Sequence, residues 1–154
     1  MAEEIDEVYA TVVRKAFFTI FEIEAHNLIV EKGVTIDNIS DLYMKNLTTQ
    51  FGNSIRISED FKWAWLYIPH FYHTPFYCYA YSFGNLLVLS LYQQFRDEGN
   101  SFISKYIKIL SAGGSEKPET LLKDSGFDIT KASFWQQGFD LIKMKIDKLR
   151  GDNN

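Results

Sequence analysis

Apolar residues recur at helical spacing along nearly the whole chain and are cut at short intervals by glycine and proline, which points to an all-α fold. From Glu4 to Lys32 the stripe Ile5, Val8, Tyr9, Val12, Val13, Ala16, Phe17, Ile20 and Phe21 marks one long amphipathic helix, and Gly33 stops it. Thr35 suits the N-cap of a second helix that carries Ile36, Ile39, Leu42, Tyr43 and Leu47 on one face and closes at Gly52-Asn53. Ser58, Glu59 and Asp60 open a short third helix through Trp63 and Trp65, ended by Pro69. Thr74 and Pro75 offer a cap and first turn for a fourth, running to about Asp97 with Gly99 beyond it. Ser101 to Ser111, a very short piece from Pro118, and a last helix capped by Thr130 complete a single bundle of about seven helices. The one β-like stretch, Ser54 to Ile57, is too short and isolated to form a sheet.

A chain of 154 residues is long enough for one domain with a sizeable core. No repeat or low-complexity linker divides it, so residues 3–150 read as one helical domain and 151–154 as a frayed tail. Sixteen basic against twenty acidic side chains give a formal charge of -4 with no basic block, which argues against nucleic acid as a partner. The single cysteine, Cys78, excludes an internal disulfide and any cysteine-rich zinc site. The acidic start has no signal-peptide order, so the cytoplasm is the expected location. Residues 75–92 carry no formal charge, but Ser82, Gly84, Asn85, Ser90 and four tyrosines suit a buried central helix rather than a membrane span.

The run from Ile68 to Gly84 stands apart. It holds His70, His73, Tyr72, Tyr77, Tyr79, Tyr81, Phe71, Phe76 and Phe83, and each Tyr and His couples an apolar body to a polar tip that needs a partner when buried. Such tips side by side suit the wall of a cavity or of a ligand site; the alternative is an aromatic packing cluster tied to the backbone. Tyrosine of ordinary pKa is neutral at pH 7 and holds out an O–H, the type of donor that stabilises charge appearing on a tetrahedral intermediate.

Other chemistries find no support. A zinc hydrolase would want His-Glu-x-x-His, which is absent. Glu22 and His26, spaced i,i+4, suit an ion pair better than a metal site. Cys78 sits among apolar neighbours that would raise its pKa and leave it inert. Gly113-Gly114-Ser115 reads as a helix stop, and no phosphate loop, dinucleotide fingerprint or paired-carboxylate signature occurs.

Several groups together carry a resemblance: Phe21-Glu22 with His26; Trp65 through Ile68-Pro69-His70-Phe71-Tyr72; Phe76-Tyr77-x-Tyr79-x-Tyr81-x-x-Gly84; and Leu110-Ser111-Ala112-Gly113-Gly114-Ser115-x-x-Pro118-x-x-Leu121-Leu122-x-x-x-Gly126-x-Asp128. In collinear order, from about residue 5 to residue 149, the sequence resembles the C-terminal part of oligoendopeptidase F, a family of zinc peptidases allied to thimet oligopeptidase. The resemblance covers roughly the last quarter of such an enzyme, and it implies a helical half-lobe flanking a peptide-binding channel. It further implies that the zinc ligands lie upstream of the matched region and that this part is the opposite wall. Carried over by position, the resemblance implies that His70 takes the histidine donor role, Tyr79 the principal tyrosine and Tyr72 the tyrosine on a mobile turn; Tyr77 and Tyr81 are neighbours placed to bind substrate or to support the core. His73-Thr74-Pro75 makes the turn one residue longer than in many members, which shifts Tyr72 against Tyr79.

The expectation is a C-terminal piece of a zinc oligopeptidase that holds no metal of its own and is inactive alone. Its partners would be an oligopeptide substrate and the missing catalytic portion, with self-association through exposed apolar patches and no membrane role. A free-standing peptide-binding module, or a structural helical domain with no ligand, are the alternatives.

Overall fold

The computed structural model describes residues 2–151, and among them there is no strand: the chain is all-helical. In chain order the α-helices are α1 Ala2–Val8, α2 Arg14–Lys32, α3 Ile36–Phe51, α4 His70–His73, α5 Tyr79–Glu98, α6 Ser101–Ala112, α7 Pro118–Asp124 and α8 Ala132–Gly151. Two further helical stretches differ in pitch: a π-helical stretch over Tyr9–Val13 and a 3₁₀ helix over Glu59–Tyr67. The described residues fall into two compact units, one built from Tyr9–Phe83 and one from Met1–Val8 with Gly84–Asn154.

In the Tyr9–Phe83 unit the core gathers Phe18, Phe21 and Ala25 of α2, Tyr43 and Leu47 of α3, then Ile68 and Cys78. The spacing i, i+3, i+7 on α2 puts its three on one face, and i, i+4 does the same on α3. Phe21 meets Tyr43 edge-on at a centroid distance of 4.9 Å and Phe71 at 5.3 Å. Each such pair adds about 0.5–1.5 kcal/mol to the burial of the rings. Polar ties span the unit: Trp65 Nε1 donates to Ser40 Oγ at 3.0 Å, and Asn46 Nδ2 donates to the Phe17 carbonyl at 3.1 Å. Thr35 caps α3 as its sequence suggests, in a reciprocal box with Asn38.

The unit of Met1–Val8 with Gly84–Asn154 packs Leu91, Phe102, Leu122, Phe127 and Phe134 together. Gly113 ends α6 at φ 54°, a conformation open to glycine at little cost, and Pro118 sits in the first turn of α7 where its missing N–H costs nothing. Gly138 of α8 lies so close to α5 that a Cβ there would meet Ser90 Oγ at 3.0 Å and the Leu86 carbonyl at 3.2 Å. Glu4 of α1 pairs with Lys145 of α8.

Several local expectations are corrected. The helix expected from Glu4 to Lys32 is broken by the π-helical stretch, where Ser82 Oγ donates to the Val12 carbonyl at 2.8 Å and reaches that of Thr11 at 3.3 Å. Carbonyls displaced from the α ladder thus gain a side-chain donor. Residues 59–67 take the tighter 3₁₀ pitch, and Ser58 makes no side-chain cap. The α-helix expected to start at Pro75 behind a Thr74 cap begins only at Tyr79, because Phe76 has a positive φ of 58° and breaks the helical path. Asp128, not Thr130, organises the approach to α8: its Oδ1 accepts the Thr130 N–H at 3.1 Å. α5 is not a buried central helix, since only Ser90 and Leu91 are fully buried on it while Val88 and Tyr92 stand exposed. Gly151 lies in α8, and the rest of the expected frayed tail, 152–154, falls outside the described residues. No helix among the described residues is long and apolar enough to cross a membrane.

Candidate functional site

The polar aromatic run folds as a one-turn helix, a turn and the start of a long helix. Pro69, at φ -64°, leads into α4, whose last amide ties are Thr74 N–H to the His70 carbonyl and His73 N–H to that of Pro69. The chain then turns through residues 74–78, and Ala80 N–H closes back on the Tyr77 carbonyl at 3.0 Å to start α5. His70 and Tyr72 stand before the turn, Tyr77, Tyr79 and Tyr81 at its far side or on α5.

Three of the five expected site residues meet. His70 Nε2 lies 3.0 Å from the Tyr81 hydroxyl, within hydrogen-bond reach, with the donor set by the histidine tautomer. The Tyr77 ring meets Tyr81 edge-on at 5.7 Å. The other two are not drawn into this group. Tyr79 is 56% exposed and makes none of these contacts. Tyr72 stacks on Trp65 at a centroid distance of 6.4 Å and lines a cavity of about 170 Å³ with Glu22, His26 and Phe71.

Residues outside the run complete the setting. Lys15 of α2 holds its ammonium 4.7 Å from the Tyr81 ring centroid and 5.4 Å from that of Phe18, a cation–π contact with each ring. Burial pushes the Lys15 pKa down, with Arg14 adding to that and Cys78 opposing it. Burial also lowers the pKa of His70, helped by Lys15 and opposed by Glu22, so the imidazole favours its neutral form. Burial raises the pKa of Tyr72, which keeps its hydroxyl proton at neutral pH. Cys78 is wholly buried and free, and burial raises its thiol pKa. His70 and Tyr72 are thus both held toward their neutral forms, and the Lys15 ammonium lies against the Tyr81 ring.

Glu22 and His26 do not form the expected ion pair. Glu22 is 2% exposed; its Oε1 accepts the Phe76 N–H at 2.7 Å, and its Oε2 has no partner among the described residues. The His26 ring instead packs on the Phe76 ring, 4.6 Å between centroids. With both side chains occupied by one turn, they do not fit a metal site, and no cluster of three or more metal-ligating side chains occurs among the described residues. Sequence reasoning missed Lys15 altogether and misread Glu22. Its signal was present: Glu22 interrupts the otherwise apolar stripe Phe18, Phe21, Ala25, and a carboxylate at a core position needs a dedicated partner.

The all-helical chain, with its run of tyrosine and histidine side chains, matches a region of bacterial peptidases. Oligoendopeptidase-F from Enterococcus faecium superimposes with a TM-score of 0.88 over 99% of this chain and 30% of that one, at 27% identity. The sequence profile of peptidase family M3 covers residues 1–141, and the chain belongs to that family. Among relatives, the oligoendopeptidase F homolog of Borreliella burgdorferi is 32% identical over 96% of this chain and 25% of its own length. The oligopeptidase PepF of Bacillus subtilis is 29% identical over 90% of this chain and 21% of its own. The chain therefore spans about a quarter of the length of the relatives it matches.

Proposed function

We propose that this chain supplies one wall of an oligoendopeptidase F-type active site: it grips the backbone of an oligopeptide and donates hydrogen bonds to the scissile carbonyl as charge builds on its oxygen. The observation that carries the reading is the grouping of His70 with Tyr81 and Tyr77 on one short segment that also carries the exposed Tyr72 and Tyr79. His70 and Tyr79 are the principal donors, Tyr72 a donor on the turn, and Tyr77 and Tyr81 hold the substrate. Zinc and the water it would activate are assigned to another part of such an enzyme, since the described residues bring no three His, Cys, Asp or Glu side chains together as a metal site. The chain alone would bind peptide without cutting it. The buried free thiol of Cys78 suits the reducing cytoplasm.

The test is complementation. Mixed with a separately produced portion of a family member that carries His-Glu-x-x-His, the chain should restore cleavage of a quenched oligopeptide, and His70→Ala or Tyr79→Phe should each lower the rate at unchanged melting temperature. The isolated chain should contain no stoichiometric zinc by elemental analysis, and a tight one-to-one zinc would overturn the assignment. Peptide binding without complementation would favour a free-standing module instead. Light scattering checks the expected self-association.

A further inference from the structure

We propose that Glu22 is the positioning residue of the donor wall, a buried carboxylate that fixes the turn joining the two halves of the wall through the Phe76 amide. The inference rests on reading His70 and the tyrosines as a peptide-facing wall. Glu22 Oε1 accepts the Phe76 N–H at 2.7 Å from 54 positions away in sequence. Phe76 is the one non-glycine residue with a positive φ among the described residues. An L side chain crowds its own backbone in that region, so a phenylalanine stays there only where neighbours hold it. Two neighbours do so from successive turns of α2: Glu22 holds the amide, and the His26 ring packs against the Phe76 side chain.

That turn decides the geometry of the wall. It sets the offset between His70 and Tyr72 on α4 and Tyr79 and Tyr81 on α5, including the 3.0 Å approach of His70 to Tyr81. The choice of a carboxylate is informative. Glu22 Oε2 is buried without a partner, and a site selected for stability alone would hold an apolar side chain of the same size, which loses no hydration. The chain accepts a stability cost there and gains a fixed turn.

The experiment compares Glu22→Met with Glu22→Gln in the whole chain. Both are uncharged and near the size of glutamate, so the difference between them reads a side-chain amide whose oxygen can still accept the Phe76 N–H. Glu22→Met should keep or raise the melting temperature, speed amide exchange at Phe76 about tenfold and weaken binding of a short peptide about tenfold, the worth of one hydrogen bond to a charged group. Glu22→Gln should change neither by more than about threefold, because its side-chain carbonyl still accepts the amide. Unchanged exchange in Glu22→Met overturns the proposal, as does an affinity that falls only in step with the melting temperature. If the unaltered chain binds no peptide, the wall reading fails separately. The clamp is then decided by the nuclear Overhauser contact between the His70 and Tyr81 rings: kept in Glu22→Gln and lost in Glu22→Met supports it, kept in both sinks it.

Discussion

The two units are held together by different means. In the Tyr9–Phe83 unit the buried polar side chains reach far along the chain: Glu22 to Phe76, Asn46 to Phe17, and Ser40 to Trp65. In the unit of Gly84–Asn154 with Met1–Val8, the buried Ser125 hydroxyl bonds to the Leu121 carbonyl within its own turn, and the far-reaching tie of Glu4 to Lys145 is an exposed ion pair around a core of rings. Long-range hydrogen bonds are directional and fix positions to a fraction of an ångström, whereas apolar packing tolerates repacking of similar volume. On that ground the first unit is the better suited to hold groups in place, and the second rests mainly on packing. The segment proposed as the donor wall lies in the unit that has the buried long-range ties.

The sharpest way to break that contrast is to empty the apolar core. Phe127 is 1% exposed and packs on Phe102 at 5.6 Å. Phe127→Ala should cost about 3–5 kcal/mol of stability in a denaturant titration. The molecules that remain folded should bind peptide as before, and an affinity loss beyond the unfolded fraction would contradict the division between placing and supporting. A smaller effect of the same kind is expected at Gly138. A side chain there meets the Leu86 carbonyl, a backbone atom that cannot rotate away, so Gly138→Val should cost about 1–3 kcal/mol. A neutral result would mean that α5 and α8 pack more loosely than the contact implies.

The same contrast explains what was legible in the sequence. Gly52, Gly99, Gly113 and Gly126 each carry a positive φ at or just past a helix end, so the stops read off the sequence mark real chain reversals. Thr35 with Asn38 is a local capping pattern, and it forms. What escaped reading depends on contacts between residues far apart. Nothing near Phe76 announces a left-handed residue; the partner that holds it is on α2, and this moved the start of α5 from the expected Pro75 to Tyr79. The π-helical stretch is likewise matched by Ser82, about seventy residues away. Candidate site residues were legible as a chemical run, but their grouping was not: His70 sits with Tyr81, eleven residues on, while Tyr72 stacks on Trp65.

The polar ties themselves can be measured one at a time. Ser40 is fully buried and accepts from Trp65 Nε1, so a double-mutant cycle of Ser40→Ala with Trp65→Phe should return a coupling of about 0.5–1.5 kcal/mol. Ser125→Ala, which removes a bond within a single helical turn, should cost less than Ser40→Ala. Reversal of that order would remove the distinction between long-range placing and local closure.

The smallest expected effect lies at His70 and concerns pH. Its pKa is lowered in the folded chain, first by burial and then by Lys15, with Glu22 acting in the opposite sense; Tyr81 is the other titratable group against the ring. A histidine whose folded pKa lies below its unfolded value of about 6.5 binds fewer protons when folded, so stability rises with pH between those two values and is lost as pH falls through that window. Denaturant titrations across mildly acidic pH should show this slope, and His70→Gln should flatten it. Lys15→Met removes the nearby cation and should move the His70 titration, followed by nuclear magnetic resonance, upward toward the ordinary value. An unmoved titration would mean that burial alone sets the protonation of His70 and that Lys15 acts only as packing over Tyr81.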